Sequence, residues 1–198
     1  ALDKFLTIEV RRYEPMLEPN AYCVIEVRRI SEDILPVLPK DIVLVQDSSA
    51  SITEQRMHFC RDGWQRCLPL IGPQDRFNVL SFREQTERCF PDWATPNAET
   101  LGKAAAFVTN LQSRGNTDIY ASLRPLLDEK RQAGRPVIAM VVSDGRPTVG
   151  VTDSSQIIGE FSQANRGAIS VFSLGTVGDA NRYLLDLLTY RDRGDAFV

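Results

Sequence analysis

Long hydrophobic runs are missing from this sequence. The longest are about six residues, far short of the ~20 an apolar helix needs to cross a bilayer. Histidine is reduced to one residue, His58, and the four cysteines (Cys23, Cys60, Cys67 and Cys89) show neither C-x-x-C spacing nor a zinc pattern. A centre built on imidazole or thiolate therefore has no ligand set. Cys60 and Cys67 stand seven residues apart on one apolar helical face with Met57, Trp64 and Ile71. That spacing is ~10.5 Å along a helix, too far for a disulfide, and the two read as small buried hydrophobes. Lysine is scarce (Lys4, Lys40, Lys103 and Lys130), the net charge is only −3, and the arginines are scattered. No basic footprint for nucleic acid or an anionic membrane results. The sequence has no G-x-G-x-x-G, no P-loop and no G-x-S-x-G elbow. Repeats and low-complexity segments are absent, as is a basic stretch leading into an apolar one at the start. Strand-like sequence at both ends, Leu2–Phe5 and Phe197–Val198, reads as an excerpt from a longer chain.

What is present is the composition of a globular domain: 198 residues, 43% hydrophobic and 25% charged. A chain of this size buries roughly 70% of the surface it exposes when unfolded. Residues 1–30 hold two alternating runs, with Leu6, Ile8 and Val10 on one face of the first and Cys23, Ile25 and Val27 on one face of the second. They predict an antiparallel strand pair joined through the turn-rich stretch 14–20, with 31–40 as a linker. From residue 41 the character changes. Ile42–Val45 and Val137–Val142 are continuous apolar runs, the signature of strands covered on both faces. Phe77–Phe82 and 168–174 predict further strands, and 84–90 a short edge strand. Helical spacing predicts helices over 57–71, 98–110, 118–133, 154–165 and 180–189. Strands alternating with helices imply a doubly wound, mostly parallel α/β sheet with helices on both faces, over residues 41–198, and a small N-terminal β appendage over 1–40.

Ligands of such sheets bind at the carboxyl ends of the strands, near the point where strand order reverses. Three polar clusters fall there: Asp47-Ser48-Ser49-Ala50-Ser51, Gly115-Asn116-Thr117-Asp118 and Ser143-Asp144-Gly145. They offer two carboxylates (Asp47, Asp144) and three hydroxyls (Ser49, Ser51, Thr117). All are hard oxygen donors, suited to Mg²⁺, Mn²⁺ or Ca²⁺. With two carboxylates only, a Mg²⁺ ion would keep waters and recruit an outside carboxylate. Each residue also has a plain structural reading. Ser51 with Glu54 fits a capping box, Thr117 a helix N-cap, and Asp144-Gly145 a turn.

The same residues carry a resemblance. Asp47-x-Ser49-x-Ser51 resembles the D-x-S-x-S motif of von Willebrand A and integrin inserted domains; Gly115–Asp118 resembles their threonine loop, and Ser143-Asp144-Gly145 their (T/S)-D-G loop. Element order agrees over about residues 40–198, and all five positions of the metal-ion-dependent adhesion site are filled. Ala50, where many relatives carry glycine, is a departure that removes no ligand. The resemblance implies that Ser49, Ser51 and Thr117 coordinate Mg²⁺ directly, with Asp47 and Asp144 acting mostly through water. It also implies a non-enzymatic adhesion module whose protein partner presents an Asp or Glu, with an extracytoplasmic or cell-surface setting. The strand pair at 1–40 is similar to those preceding A-domains in larger bacterial and inter-alpha-inhibitor-like proteins. Specificity would come from the loops near 48–53, 92–97, 113–118 and 144–149, with Trp93, Asn116 and Arg146 as candidate partner contacts; the alternative for Trp93 is packing beneath its loop.

Two other readings use the same residues. A scaffold domain with a silent metal site, part of a larger multidomain protein, is the first. The second is a metal-dependent phosphohydrolase with Asp47 as nucleophile. That chemistry needs a second carboxylate two residues on, where this chain has Ser49, and a lysine beyond a strand end, where it has none. Arg193-Gly194-Asp195 reads as the turn into a last strand, and His58 as a packed or solvated helix residue.

Overall fold

The computed structural model describes residues 6–14, 21–30, 37–128, 130–176, 178 and 180–197. The strand-like start at 2–5 and most of the linker expected at 31–40 lie outside them. The chain divides into two compact units, Ala1–Leu38 and Pro39–Val198.

In the first unit, strands β1 (Leu6–Tyr13) and β2 (Tyr22–Arg29) pair antiparallel. The register sets Ile8 opposite Val27 and Val10 opposite Ile25. The alternating apolar residues therefore share one face, as their spacing predicts, and they are exposed. Arg11 and Glu26 form an ion pair at 2.9 Å.

The second unit is built on a six-stranded sheet. Its strands are β3 (Asp41–Asp47), β4 (Arg76–Phe82), β5 (Thr86–Arg88), β6 (Val137–Ser143), β7 (Ile169–Gly175) and β8 (Ala196–Phe197), in the order β5-β4-β3-β6-β7-β8. All pairings are parallel except β4 with the short edge strand β5. Helices α1 (Glu54–Cys67) and α2 (Ala98–Thr109) cover one face, where Trp64, Ala104 and Val108 pack on Leu44, Phe77, Val79 and Val142. Helices α3 (Ile119–Leu123), α4 (Ser154–Asn165) and α5 (Arg182–Arg191) cover the other, where Ile157, Phe161, Leu184 and Leu188 meet Val43, Val45, Ala139, Val141 and Val171. Continuous apolar strands follow from this two-sided cover, since each successive side chain enters one core or the other.

Chain order reverses between β3 and β6: from β3 the chain winds to β4, and the later strands add on the opposite side. The carboxyl ends of β3 and β6 thus flank the switch point.

The helix expected over 118–133 is corrected. It stops as α3 after Leu123, tightens to a 3-10 turn over Arg124–Asp128, and residues 130–136 form no helix. Pro125 supplies no N–H, so the α-helical hydrogen-bond ladder loses a rung there. A milder case closes α1, where Pro69 falls in the 3-10 turn Leu68–Leu70. All four cysteines are free thiols, and His58 is exposed, 3.6 Å from Asp62.

Arg193-Gly194-Asp195 forms the turn into β8. The N–H of Gly194 donates to the carbonyl of Thr189 at 2.9 Å, and a Cβ there would fall 1.7 Å from the Val171 carbonyl oxygen. Backbone cannot step aside cheaply, so Gly194→Ala is expected to cost about 1–3 kcal/mol. Urea titration of the two proteins measures it; an unchanged midpoint would show that the β7–β8 edge is loose.

Candidate metal centre

Asp47 ends β3 with its side chain fully buried. Its Oδ1 accepts from the Ser49 N–H at 2.9 Å and its Oδ2 from the Ser143 hydroxyl at 2.6 Å. Ser143 in turn accepts from the Gly145 N–H at 3.0 Å. Gln46, also buried, donates to the Asp47 carbonyl at 2.6 Å and accepts from the Trp64 indole of α1 at 2.8 Å. The carboxylate is therefore held by the loop after β3 and by the end of β6, while α1 steadies the Asp47 main chain through Gln46.

The three clusters converge. Ala50 donates its N–H to the Gly115 carbonyl at 3.1 Å, and Arg114 donates to the Ser48 carbonyl at 3.0 Å, tying the first loop to the second. The Thr117 N–H donates to the Thr148 hydroxyl at 2.8 Å, and Thr148 returns an N–H to the Thr117 carbonyl at 2.9 Å, tying the second to the loop after β6. Asp144 is buried; its carboxylate accepts from the Arg146 N–H at 3.0 Å and its carbonyl from the Asn181 N–H at 2.8 Å. Gly145 has a left-handed backbone (φ 68°), and a Cβ there would also crowd Leu185 at 3.0 Å and Asn181, so the position suits glycine on both counts. Asn116 is exposed, with its N–H on the Glu84 carboxylate at 2.6 Å. Arg146 is exposed on the loop after β6.

The plain structural readings fail at two positions. Thr53, not Ser51, caps α1, accepting from the Arg56 N–H. Asp118, not Thr117, caps α3, accepting from the Ala121 N–H at 2.9 Å. That leaves Ser51 facing Ser49, hydroxyl to hydroxyl at 2.9 Å, and Thr117 buried with no capping duty.

Electrostatics sharpens the picture. Burial pushes the Asp47 carboxyl from its ordinary 3.8 up to about 6; hydrogen bonds from Ser143 and Ser49 pull the other way, and the neighbouring charge of Asp144 adds to the rise. Among the described residues no ion pair reaches Asp47. A buried carboxylate with a second one beside it and no cation is costly. The donor set fits a hard divalent ion in that gap. Adjacent corners of a Mg–O octahedron lie roughly 2.9 Å apart, which is the Ser49–Ser51 hydroxyl separation. No group of three or more His, Cys, Asp or Glu poised for a metal exists among the described residues, so any ion here would rest largely on hydroxyls.

Trp93 is a correction. Its indole donates to the Lys130 carbonyl at 2.9 Å, the Arg76 guanidinium lies 5.7 Å from its ring centre, and Ala94 bridges to Phe77. Arg76 opens β4, so Trp93 and the 92–97 loop sit at the amino edge of the sheet, opposite Asp47. Antiparallel β5 carries the chain back to that edge. Gln46 with Trp64, and Glu84, are contributors that sequence reasoning did not single out, and Ser143, read there only as part of its loop motif, proves to be a direct partner of Asp47. The visible signal was Gln46, a polar residue closing an apolar strand.

The fold and its polar switch point define a doubly wound α/β domain with converging hydroxyl and carboxylate loops at the carboxyl edge. A profile of the von Willebrand factor type A domain matches residues 40–196; the chain belongs to that family. Inter-alpha-trypsin inhibitor heavy chain H4 of Homo sapiens is 29% identical over 168 residues, covering 81% of this chain and 18% of that protein. Heavy chain H2 of Mus musculus is 26% identical over 196 residues, covering 95% and 21%. The chain thus spans about a fifth of the length of these relatives. Among solved structures, a von Willebrand factor type A protein from Catenulispora acidiphila aligns with a TM-score of 0.73 at 15% identity, over 93% of this chain and 44% of that one. Proximal thread matrix protein 1 from the mussel byssus, described with a zinc-occupied MIDAS motif, aligns with a TM-score of 0.62 at 15% identity, over 80% and 43%. No helix among the described residues is long and apolar enough to cross a membrane.

Proposed function

We propose that this domain is a non-enzymatic interaction module that binds Mg²⁺ at the switch point and, through it, an Asp or Glu of a protein partner. The observation that carries this reading is Asp47: fully buried, beside Asp144, with no ion-pair partner among the described residues. Ser49, Ser51 and Thr117 would hold the ion directly, with Asp47 and Asp144 orienting its waters and balancing its charge. An ion supplies a Lewis-acidic seat for an incoming carboxylate; Mn²⁺ or Ca²⁺ would serve the same donors. The protein's part is to keep the hydroxyls converged and the floor dry. Asn116 and Arg146, exposed on the loops beside the donors, would meet the partner.

Catalysis has little support. Both oxygens of Asp47 already accept hydrogen bonds, which suits an orienting group better than a nucleophile. Lys40 is engaged with Asp75 at the amino edge, at 2.8 Å. Relatives about five times as long support a place within a larger chain, and the resemblance supports an extracytoplasmic or cell-surface setting for it.

Isothermal titration of metal-stripped protein with Mg²⁺ and Mn²⁺ tests the reading. One binding site is expected in wild type, with affinity at least about tenfold weaker in Asp47→Ala. Folded wild type that takes up no ion at millimolar metal would overturn it in favour of a scaffold whose metal site is silent.

A further inference from the structure

Beside the proposed metal seat lies a polar cleft of about 200 Å³. Its walls include Ser48 and Ser81 at the strand ends, Arg83 and Glu87 flanking the β4–β5 turn, and Asn110 and Arg114 after α2. It begins at Ser48, the residue between Asp47 and Ser49, so the cleft and the metal loop share a wall. Ser48 is spoken for: its hydroxyl pairs with that of Ser81 at 2.7 Å and its carbonyl takes the Arg114 N–H. Arg83 forms a close ion pair with Glu87. The Arg114 guanidinium, by contrast, has no ion pair or hydrogen bond among the described residues, and it is exposed. The nearby Leu111 carbonyl, which would repel an anion, is covered by Arg61. Two guanidiniums against one carboxylate, with the neutral amides of Asn110 and Gln112 between, make the cleft cationic in a chain whose net charge is −3.

We infer that this cleft is a second seat for the partner: it takes a second carboxylate side chain, held by Arg114 and Arg83, while the first completes the metal. The inference rests on the metal-dependent reading above and names the partner more closely, as a segment with two acidic residues. The size supports one side chain rather than a helix or a strand. Charge supports an acid, and a planar guanidinium offers it paired donors. Arg114 is a positioning and specificity residue. Its backbone already braces the metal loop, so its side chain is free to read the partner without disturbing that loop.

The test uses NMR titration of the isotope-labelled domain, which detects millimolar binding. The probes are capped peptides with two aspartates separated by none to three glycines, and counterparts whose second aspartate is asparagine. Mg²⁺ alone is added first; shifts at Ser49, Ser51 and Thr117 establish the metal seat, and their absence would overturn the metal reading and this inference with it. With Mg²⁺ bound, the best two-acid peptide is expected to bind about fivefold more tightly than its one-acid counterpart, the scale of a partly exposed charge pair, and to shift Asn110 and Arg114. Arg114→Gln should erase that advantage and Arg114→Lys restore most of it, with one-acid binding and Mg²⁺ affinity unchanged in both. A metal that binds normally while the two peptides bind alike, or an advantage that survives Arg114→Gln, overturns the second seat alone.

Discussion

In EDTA at pH 7.5, Asp47→Asn is expected to be more stable than wild type by about 2–3 kcal/mol. The carboxyl of Asp47 rises from 3.8 to about 6 on folding, chiefly through burial. At ~1.4 kcal/mol for each pH unit, the charged form is therefore disfavoured by about 3 kcal/mol in the folded state. A folded-state value above the unfolded one means the stabilising contribution is complete below pH ~4 and is lost as pH rises through about 6. Asparagine keeps an acceptor for the Ser49 N–H and carries no charge, so it escapes that loss; its amide suits Ser143 less well, which trims the gain. The advantage should vanish near pH 4, where wild-type Asp47 is protonated. Divalent metal should narrow the gap: at tenfold over its dissociation constant, Mg²⁺ stabilises wild type by about 1.4 kcal/mol and leaves the variant where it was. Urea unfolding at two pH values, with and without metal, reads all of this. An Asp47→Asn protein that is no more stable than wild type in EDTA at pH 7.5 would mean the charge is already compensated within the protein, and the case for an external cation would lose its main support.

The sheet was legible in the sequence because its strands are covered on both sides, and Ile42–Val45 and Val137–Val142 advertise that as unbroken apolar runs. Donor placement was legible for a related reason: hydroxyls and carboxylates cluster where those runs stop, and the topology brings such ends together. What could not be read was geometry set by distant partners. Trp93 looked like a rim residue until the antiparallel turn of β5 returned its loop to the amino edge. Residues 118–133 carry helical spacing, yet Pro125 and the short path to β6 leave room for little more than one turn. Ser51 matches a capping box, but Thr53 takes the cap and frees Ser51 to meet Ser49. In each case the local signal was real, and a competing contact decided its use.

Strand β3 begins and ends in a fully buried aspartate, and the two ends are treated oppositely. Asp41 is surrounded by cations: Arg76 grips it through two nitrogens at 2.8 and 2.7 Å, and Arg135 adds a third contact at 3.0 Å. Donating to Asp41 holds the Arg76 guanidinium even more firmly protonated than usual. This cluster joins the starts of β3 and β4 to the turn before β6, so it is structural. Asp41→Ala should accordingly cost about 3–5 kcal/mol, as breaking a buried ion pair does, and lower Tm by about 10 °C for a domain of this size. Mg²⁺ affinity should stay the same, since six residues of extended strand set the ends ~20 Å apart. Asp47→Ala should do the reverse, removing metal binding at little cost to the metal-free fold. Thermal melts paired with Mg²⁺ titrations of both variants separate the two roles. If folded Asp41→Ala lost metal affinity, the two ends of β3 would be coupled, and the lack of a cation at Asp47 would no longer mark a site reserved for one from outside.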